Sequence, residues 1–281
     1  MGAPPAIKRP ARIACRSMQA YYWVMRRQYL PVLLALLGVL AYGTATAGEP
    51  SLTRTLTARE MLDRIDDLFR GATSHGVMTM KVKTAHWSRE LKLEEWSEGK
   101  AKSMIRILSP QKERGTATLK VGNDIWNYLP KVKRVIKLPS SMMGDSWMGS
   151  HFTNDDLVKD SRMADDYDYT ISFSGTRDGE TVTEITCRPR PNAAVVWGKI
   201  IMRVRDMDGM PLAGEYYDED MKLARTMSFS EFRAMGGRVV PARMTIRPAD
   251  KPQESTSVVY QTMEFDAPLD RDTFSLRSLQ R

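Results

Sequence analysis

The sequence predicts a mainly β, α+β protein: a curled antiparallel sheet of about 11–13 strands, with an N-terminal helix and short helices packed on its concave face. Three observations carry that prediction. About a dozen short segments alternate apolar and polar residues, the period of a strand with one buried face. Gly122-Asn123-Asp124, Asp178-Gly179, Asp208-Gly209 and Gly236-Gly237 each fall between two such segments, where a tight hairpin needs residues that enter positive φ cheaply. Only one stretch has a full helical repeat, so strands dominate. A sheet of this many strands must curl, and its concave face is then either filled by helices or left hollow.

The elements follow in chain order. Lys8, Arg9, Arg12, Arg16, Arg26 and Arg27 precede an apolar run from Tyr29 to Leu40, no acid occurs before Glu49, and Ala45-Thr46-Ala47 fits a signal-peptidase site. Residues 1–47 are therefore expected to be a cleaved secretory leader, with Met18 and Met25 as alternative starts. The apolar run is about a dozen residues long and contains Pro31, short of the roughly 20 that a spanning helix needs. Removing the leader changes the charge. The whole chain is +8, but six of its 42 Lys and Arg leave with residues 1–47, and 36 against 34 Asp and Glu gives +2. That removes the case for nucleic acid, and the lone remaining Cys187 forms no internal disulfide. The expected mature form is a single domain over 48–281, exported, without a cysteine at its start for lipid attachment, and monomeric.

Thr57 with Glu60 three residues later spells a capping box, Met61, Leu62, Ile65, Leu68 and Phe69 share one helical face, and Gly71 is the stop. The strand segments are 77–82, 90–96, 103–108, 117–121, 125–129, 132–138, 167–173, 181–187, 199–204, 213–217, 224–229, 239–246 and 257–265. In the fifth, Trp126 and Tyr128 share one face while Ile125 and Leu129 share the other, so only one pair points inward. The two aromatics are candidate cavity lining, with ordinary core as the alternative. The sixth is basic: Lys131, Lys133 and Lys137 lie near one another, with Arg134 opposite. It reads either as a contact for acidic headgroups or an acidic partner, or as a solvated edge protected from aggregation.

The segment after Pro139 is unusual. Met142, Met143, Trp147, Met148 and Phe152 fall within a Gly- and Ser-rich, loop-like stretch, a costly display of apolar surface unless it packs on something. Two readings stand: a flexible flap that lines or closes an apolar cavity, and a plug that fills the mouth of the curled sheet. Thr153 with Asp156 then caps a short helix through Leu157 and Val158.

Three runs carry a family resemblance: Val121-Gly122-Asn123-Asp124-Ile125-Trp126-Asn127-Tyr128-Leu129-Pro130, the Pro139 to Val158 stretch with its Ser-Ser-Met-Met and Ser-Trp-Met-Gly-Ser, and Asp272-Thr273-Phe274 near the end. With them the chain resembles the bacterial outer-membrane lipoprotein-sorting proteins, relatives of the Lol periplasmic lipoprotein carrier (LolA-like). The resemblance implies a half-barrel wrapped around helices, with an apolar cavity that shields lipid or lipoprotein acyl chains. It implies a periplasmic carrier, not an enzyme, that passes cargo from an inner-membrane transporter to an outer-membrane acceptor. The alternative is a sensor or accessory subunit that recognises a lipidated partner. Position 151 is His where the subfamily leads one to expect Asp, and the carrier's lid-locking Arg aligns with no single residue here.

No other chemistry stands out. His75, His86 and His151 lack metal spacing, and no Gly-rich phosphate loop or nucleophile elbow is present, so no cofactor or metal is expected. The acidic clusters Asp155-Asp156, Asp165-Asp166-Asp168 and Asp218-Glu219-Asp220 lack the spaced Gly of a calcium loop and read as solvated turns.

Overall fold

The structure is a computed structural model that describes residues 56–159, 163–193 and 195–281. The leader over 1–47 and its cleavage after Ala47 lie outside the described residues. The first helix, α1 (Ala58–Asp67), begins as the capping box predicts: the Thr57 amide donates to the Glu60 carboxylate at 2.9 Å, and the Glu60 amide donates to Thr57 Oγ1 at 3.3 Å. It buries Met61, Leu62 and Asp66. The helix ends before the expected stop at Gly71, which frees Phe69 to stack on Tyr260 with ring centroids 4.7 Å apart.

All thirteen predicted segments are strands. In the first half they are β1 (Thr73–Lys83), β2 (Ser88–Glu98), β3 (Lys102–Ser109), β4 (Ala117–Val121), β5 (Asp124–Leu129) and β6 (Arg134–Lys137). In the second they are β7 (Tyr167–Arg177), β8 (Glu180–Pro189), β9 (Lys199–Arg205), β10 (Pro211–Tyr217), β11 (Leu223–Met235), β12 (Arg238–Pro248) and β13 (Ser255–Phe265). They form one antiparallel sheet in the order β6-β5-β4-β3-β2-β1-β13-β12-β11-β10-β9-β8-β7. The sheet is therefore two meanders, each continuous in sequence, joined where β1 pairs with β13. It does not close, because β6 and β7 are its two edges and do not pair. The hairpin residues behave as expected: Asp178 and Gly179 take φ of 52° and 83°, and Gly236 and Gly237 take 53° and 81°.

One correction concerns the basic segment. Residues 131–133 are a turn, with Lys133 at φ 50°, and the strand proper is only Arg134–Lys137. Lys131 and Lys133 thus sit at one end of β6 and Lys137 at the other, where it pairs with Asp124 at 2.9 Å.

The two faces of the sheet bury different things. On the inner face Met61 and Leu62 of α1 pack among Ile185, Ile200, Met202, Met227 and Ile246, and a contiguous group joins Met78, Met80, Leu91, Leu93, Val258 and Tyr260. The outer face carries a smaller core, Met104, Ala117, Leu119 and Leu279, covered by the C-terminal residues Phe274 and the short helix α4 (Leu276–Leu279).

The connection from β6 to β7 joins the two free edges of an open sheet, so it has to cross the molecule. It holds two turns of 3-10 helix (Ser140–Met142 and Trp147–Gly149) and two short helices, α2 (Asn154–Lys159) and α3 (Met163–Asp166). It crosses on the inner face, since Trp147 and Phe152 pack with Met78, Met80 and Val258, and Met163 with Met61. We call this segment the strap.

Candidate ligand hollow and its strap

Between the inner face, the C-terminal end of α1 and the strap lies a hollow. It contains about 1140 Å³ of space free of atoms, open mouth included, of which about 130 Å³ lies within reach of the centre of a water-sized sphere. The latter is about ten times what one water needs, so the space stays open with every side chain in place. Met78, Met80, Met163, Met202, Met227 and Met244 line it. Unbranched thioether chains adapt to guests of varied shape, which suits an apolar site with loose demands. Polar groups gather at one end: Ser74, Ser97 and Ser103 reach the hollow there, and the hydroxyls of Ser74 and Ser97 share a buried hydrogen bond at 2.5 Å.

The strap contributes Trp147, Phe152, Asp156 and Leu157 to the lining. Trp147 is 4% exposed and its indole N–H donates to Thr118 Oγ1 at 3.1 Å, so it is an anchor as much as a wall. Met148, at φ 49°, and Gly149, at φ 69°, make the reversal that aims Trp147 into the core, and the Met148 carbonyl accepts from the Arg89 guanidinium. Met148 packs against the inner core beside Trp147. Met142 faces solvent, and the hold on this part of the strap is through backbone: Asn154 Nδ2 donates to the Met142 carbonyl at 2.9 Å, and the Asp155 amide to that of Met143 at 2.8 Å. Of the five apolar residues singled out in this stretch, Trp147 and Phe152 reach the hollow, Met148 supports them, and Met142 and Met143 do not line it.

The strap is tied down by charge as well. Arg225, on β11, makes a two-pronged ion pair with Asp156 at 2.6 and 2.7 Å and donates to the His151 carbonyl at 3.1 Å. The Arg225 and Asp156 side chains are only 5% and 10% exposed. The guanidinium also lies over the rings of Trp197 at 4.3 Å and Tyr216 at 4.5 Å, which replaces water with aromatic faces. Asp156 serves twice, because it also accepts from the Thr153 amide at 2.7 Å and starts α2. His151 is held by Thr256 and Glu254 of the β12–β13 side, at 2.8 and 3.3 Å. Glu254 in turn is held below the ordinary carboxylate range, first by the Ala85 amide and then by His151.

The sequence reading of Asp155-Asp156 as a solvated turn is therefore corrected: Asn154 and Asp155 are buried and Asp156 is paired. Arg225 was overlooked although a signal existed. It alternates with Met227 and Phe229 on one strand face, and an Arg in an apolar stripe needs an acid.

Trp126 and Tyr128 are a second correction. Register pairs them with Leu119 and Ala117 of β4, on the outer face, where they pack with Phe274 and Val135. The inner position goes to Ile125, which is fully buried, so the aromatics are outer core and do not line the hollow. Lys137 lies over the Trp126 ring at 5.4 Å on that same face.

Comparison with known proteins places this geometry. A family model described as "uncharacterized protein" matches residues 99–281, more than half of the chain. No curated protein matches by sequence. Among solved structures, a family protein of the DUF1329 type from Desulfovibrio piger superposes with a TM-score of 0.72 at 21% identity, over 79% of this chain and 97% of its own. A putative outer-membrane lipoprotein-sorting protein domain from Vibrio parahaemolyticus gives 0.69 at 22% identity, over 79% and 98%. A LolA-superfamily protein from Nitrosomonas europaea gives 0.68 at 21% identity, over 80% and 100%. The chain belongs to the family whose model spans residues 99–281, and its open, strapped sheet is the fold of the LolA-like, outer-membrane lipoprotein-sorting proteins.

Proposed function

We propose that the protein is a periplasmic carrier: it shields lipid or lipoprotein acyl chains in the hollow and hands them between inner- and outer-membrane complexes, without catalysis. The observation that carries this reading is the methionine-lined hollow under a strap tied by few, specific contacts. An acyl chain loses on the order of 0.8 kcal/mol per CH₂ on entering water, so moving one between membranes requires an apolar enclosure. Release requires that the enclosure open. A strap that lines the site and is held by a handful of polar ties, among them the buried Arg225–Asp156 pair, the Trp147 indole and the His151 contacts, provides both a wall and a door. The likeness of fold to LolA-superfamily and lipoprotein-sorting proteins supports the same reading, as does the leader expected over residues 1–47, which together with the domain over 48–281 belongs to this proposal.

The test is extraction of protein purified from its own cells, followed by mass spectrometry, together with uptake of a fluorescent acyl probe. We expect co-purified lipid and saturable uptake, reduced at least tenfold by Phe152→Glu with Leu157→Glu while the circular dichroism stays unchanged. Absence of both bound lipid and uptake overturns the reading.

A further inference from the structure

We propose that one end of the β1–β6 meander is a docking surface for an anionic lipid membrane. In a meander, alternate turns lie at the same end, so those of β1–β2, β3–β4 and β5–β6 come together, and a Cβ on Gly115 of the second would stand 3.8 Å from the Pro130 ring of the third. Residues 83–89, 110–116 and 130–134, which make these turns, contain seven Lys or Arg and one acid. The acid, Glu113, is taken up by Arg89 at 3.2 Å and Lys112 at 3.9 Å. Lys131, Lys133 and Arg134 of the third turn form no ion pair among the described residues. The other end of the same meander is balanced: Glu98, Lys100, Lys102 and Asp124 stand at its turns, and all four sit in ion pairs. The three turns at this end thus carry a net charge of +6, offset by the Glu254 carboxylate that accepts from the Ala85 amide, against none at the turns of the other end.

Apolar groups stand among those cations. Val132, between Lys131 and Lys133 at the turn tip, is 58% exposed, Trp87 at the first turn is 45% exposed, and Leu129 and Ile136 flank the third. Three separate tips offer no groove for a peptide. Lysines around a protruding Trp and Val fit a surface with anionic headgroups above an apolar layer, since indole favours that boundary and each cation adds attraction. The docking stands apart from what fills the hollow and is tested without cargo.

The probes are vesicles of phosphatidylcholine alone and vesicles with about a third phosphatidylglycerol, sedimented with the delipidated protein. Binding is expected only to the anionic vesicles and should weaken as salt rises. Lys131→Gln with Lys133→Gln should weaken it roughly twenty- to thirtyfold at low salt. Lys100→Gln with Lys102→Gln, at the opposite end, should leave it unchanged, and Trp87→Ser should weaken vesicle binding. No binding to anionic vesicles, or equal loss from the two lysine pairs, overturns the proposal. Equally tight capture by polyglutamate beads, with vesicle binding unmoved by Trp87→Ser, assigns the surface to an acidic protein and overturns it too.

Discussion

Arg225 shows how a single side chain sets the strength of the strap. Burying an ion pair costs desolvation that the mutual attraction only partly offsets, whereas removing one partner strands the other in a dry site. Arg225→Ala is therefore expected to cost about 3–5 kcal/mol, and Arg225→Met with Asp156→Leu together to cost less than Arg225→Ala alone, read from urea denaturation. A double variant as unstable as the sum of the two single variants would show instead that the two side chains are not coupled. Cys187 is the opposite kind of residue. Its thiol, buried among Ile185, Ile200 and Tyr167, is pushed up to about 12, first by burial and then by the nearby Asp66 charge. It should ignore an aromatic disulfide reagent at pH 8 in the native protein and react once the chain is unfolded.

At the scale of elements, the strap's tie to the β12–β13 side depends on pH. Glu254 has a lowered pKa in the folded protein because the Ala85 amide and His151 favour its charged form. A depressed carboxyl contributes stability that is present above its unfolded pKa and lost as pH falls through the folded value. The gap in urea midpoint between the native chain and Glu254→Gln should therefore be constant near neutrality and close as pH drops below the ordinary carboxylate range. For α1, Thr57→Ala should lower stability by about 1 kcal/mol and Thr57→Ser should restore most of it, since only the hydroxyl is used. Both α1's start and the thirteen strands were legible because each is written locally, in a cap or in a period of two. Alternation states which residues share a face, but not which face is inside. For Trp126 and Tyr128 that choice depends on Phe274 and Leu279, about 150 residues further on, whose own short segment has no period to read. The pairing of Arg225 with Asp156 was hidden for the same reason, as 69 residues separate them.

For the molecule as a whole, the two faces divide the work. The inner face holds the hollow, α1 and the strap, and the outer face is a closed core under the C-terminal segment. Trp126→Ala should accordingly destabilise the protein by about 2–3 kcal/mol, less than deleting a fully buried aromatic because Trp126 is half-buried, while uptake of an acyl probe by the folded fraction stays unchanged. A loss of uptake in a fully folded Trp126→Ala variant would contradict the assignment of faces. The seam between β1 and β13 has a further consequence, for the order in which the sheet is built. Ser74 lies opposite Phe265, so the strand that emerges first from the ribosome waits at the middle of the sheet for the one that emerges last. Each meander can zip from hairpin to hairpin, but neither half can close the central ladder until nearly the whole chain exists, and such long-range pairing is slow to form. The complete thirteen-stranded sheet therefore cannot exist until β13 has been made.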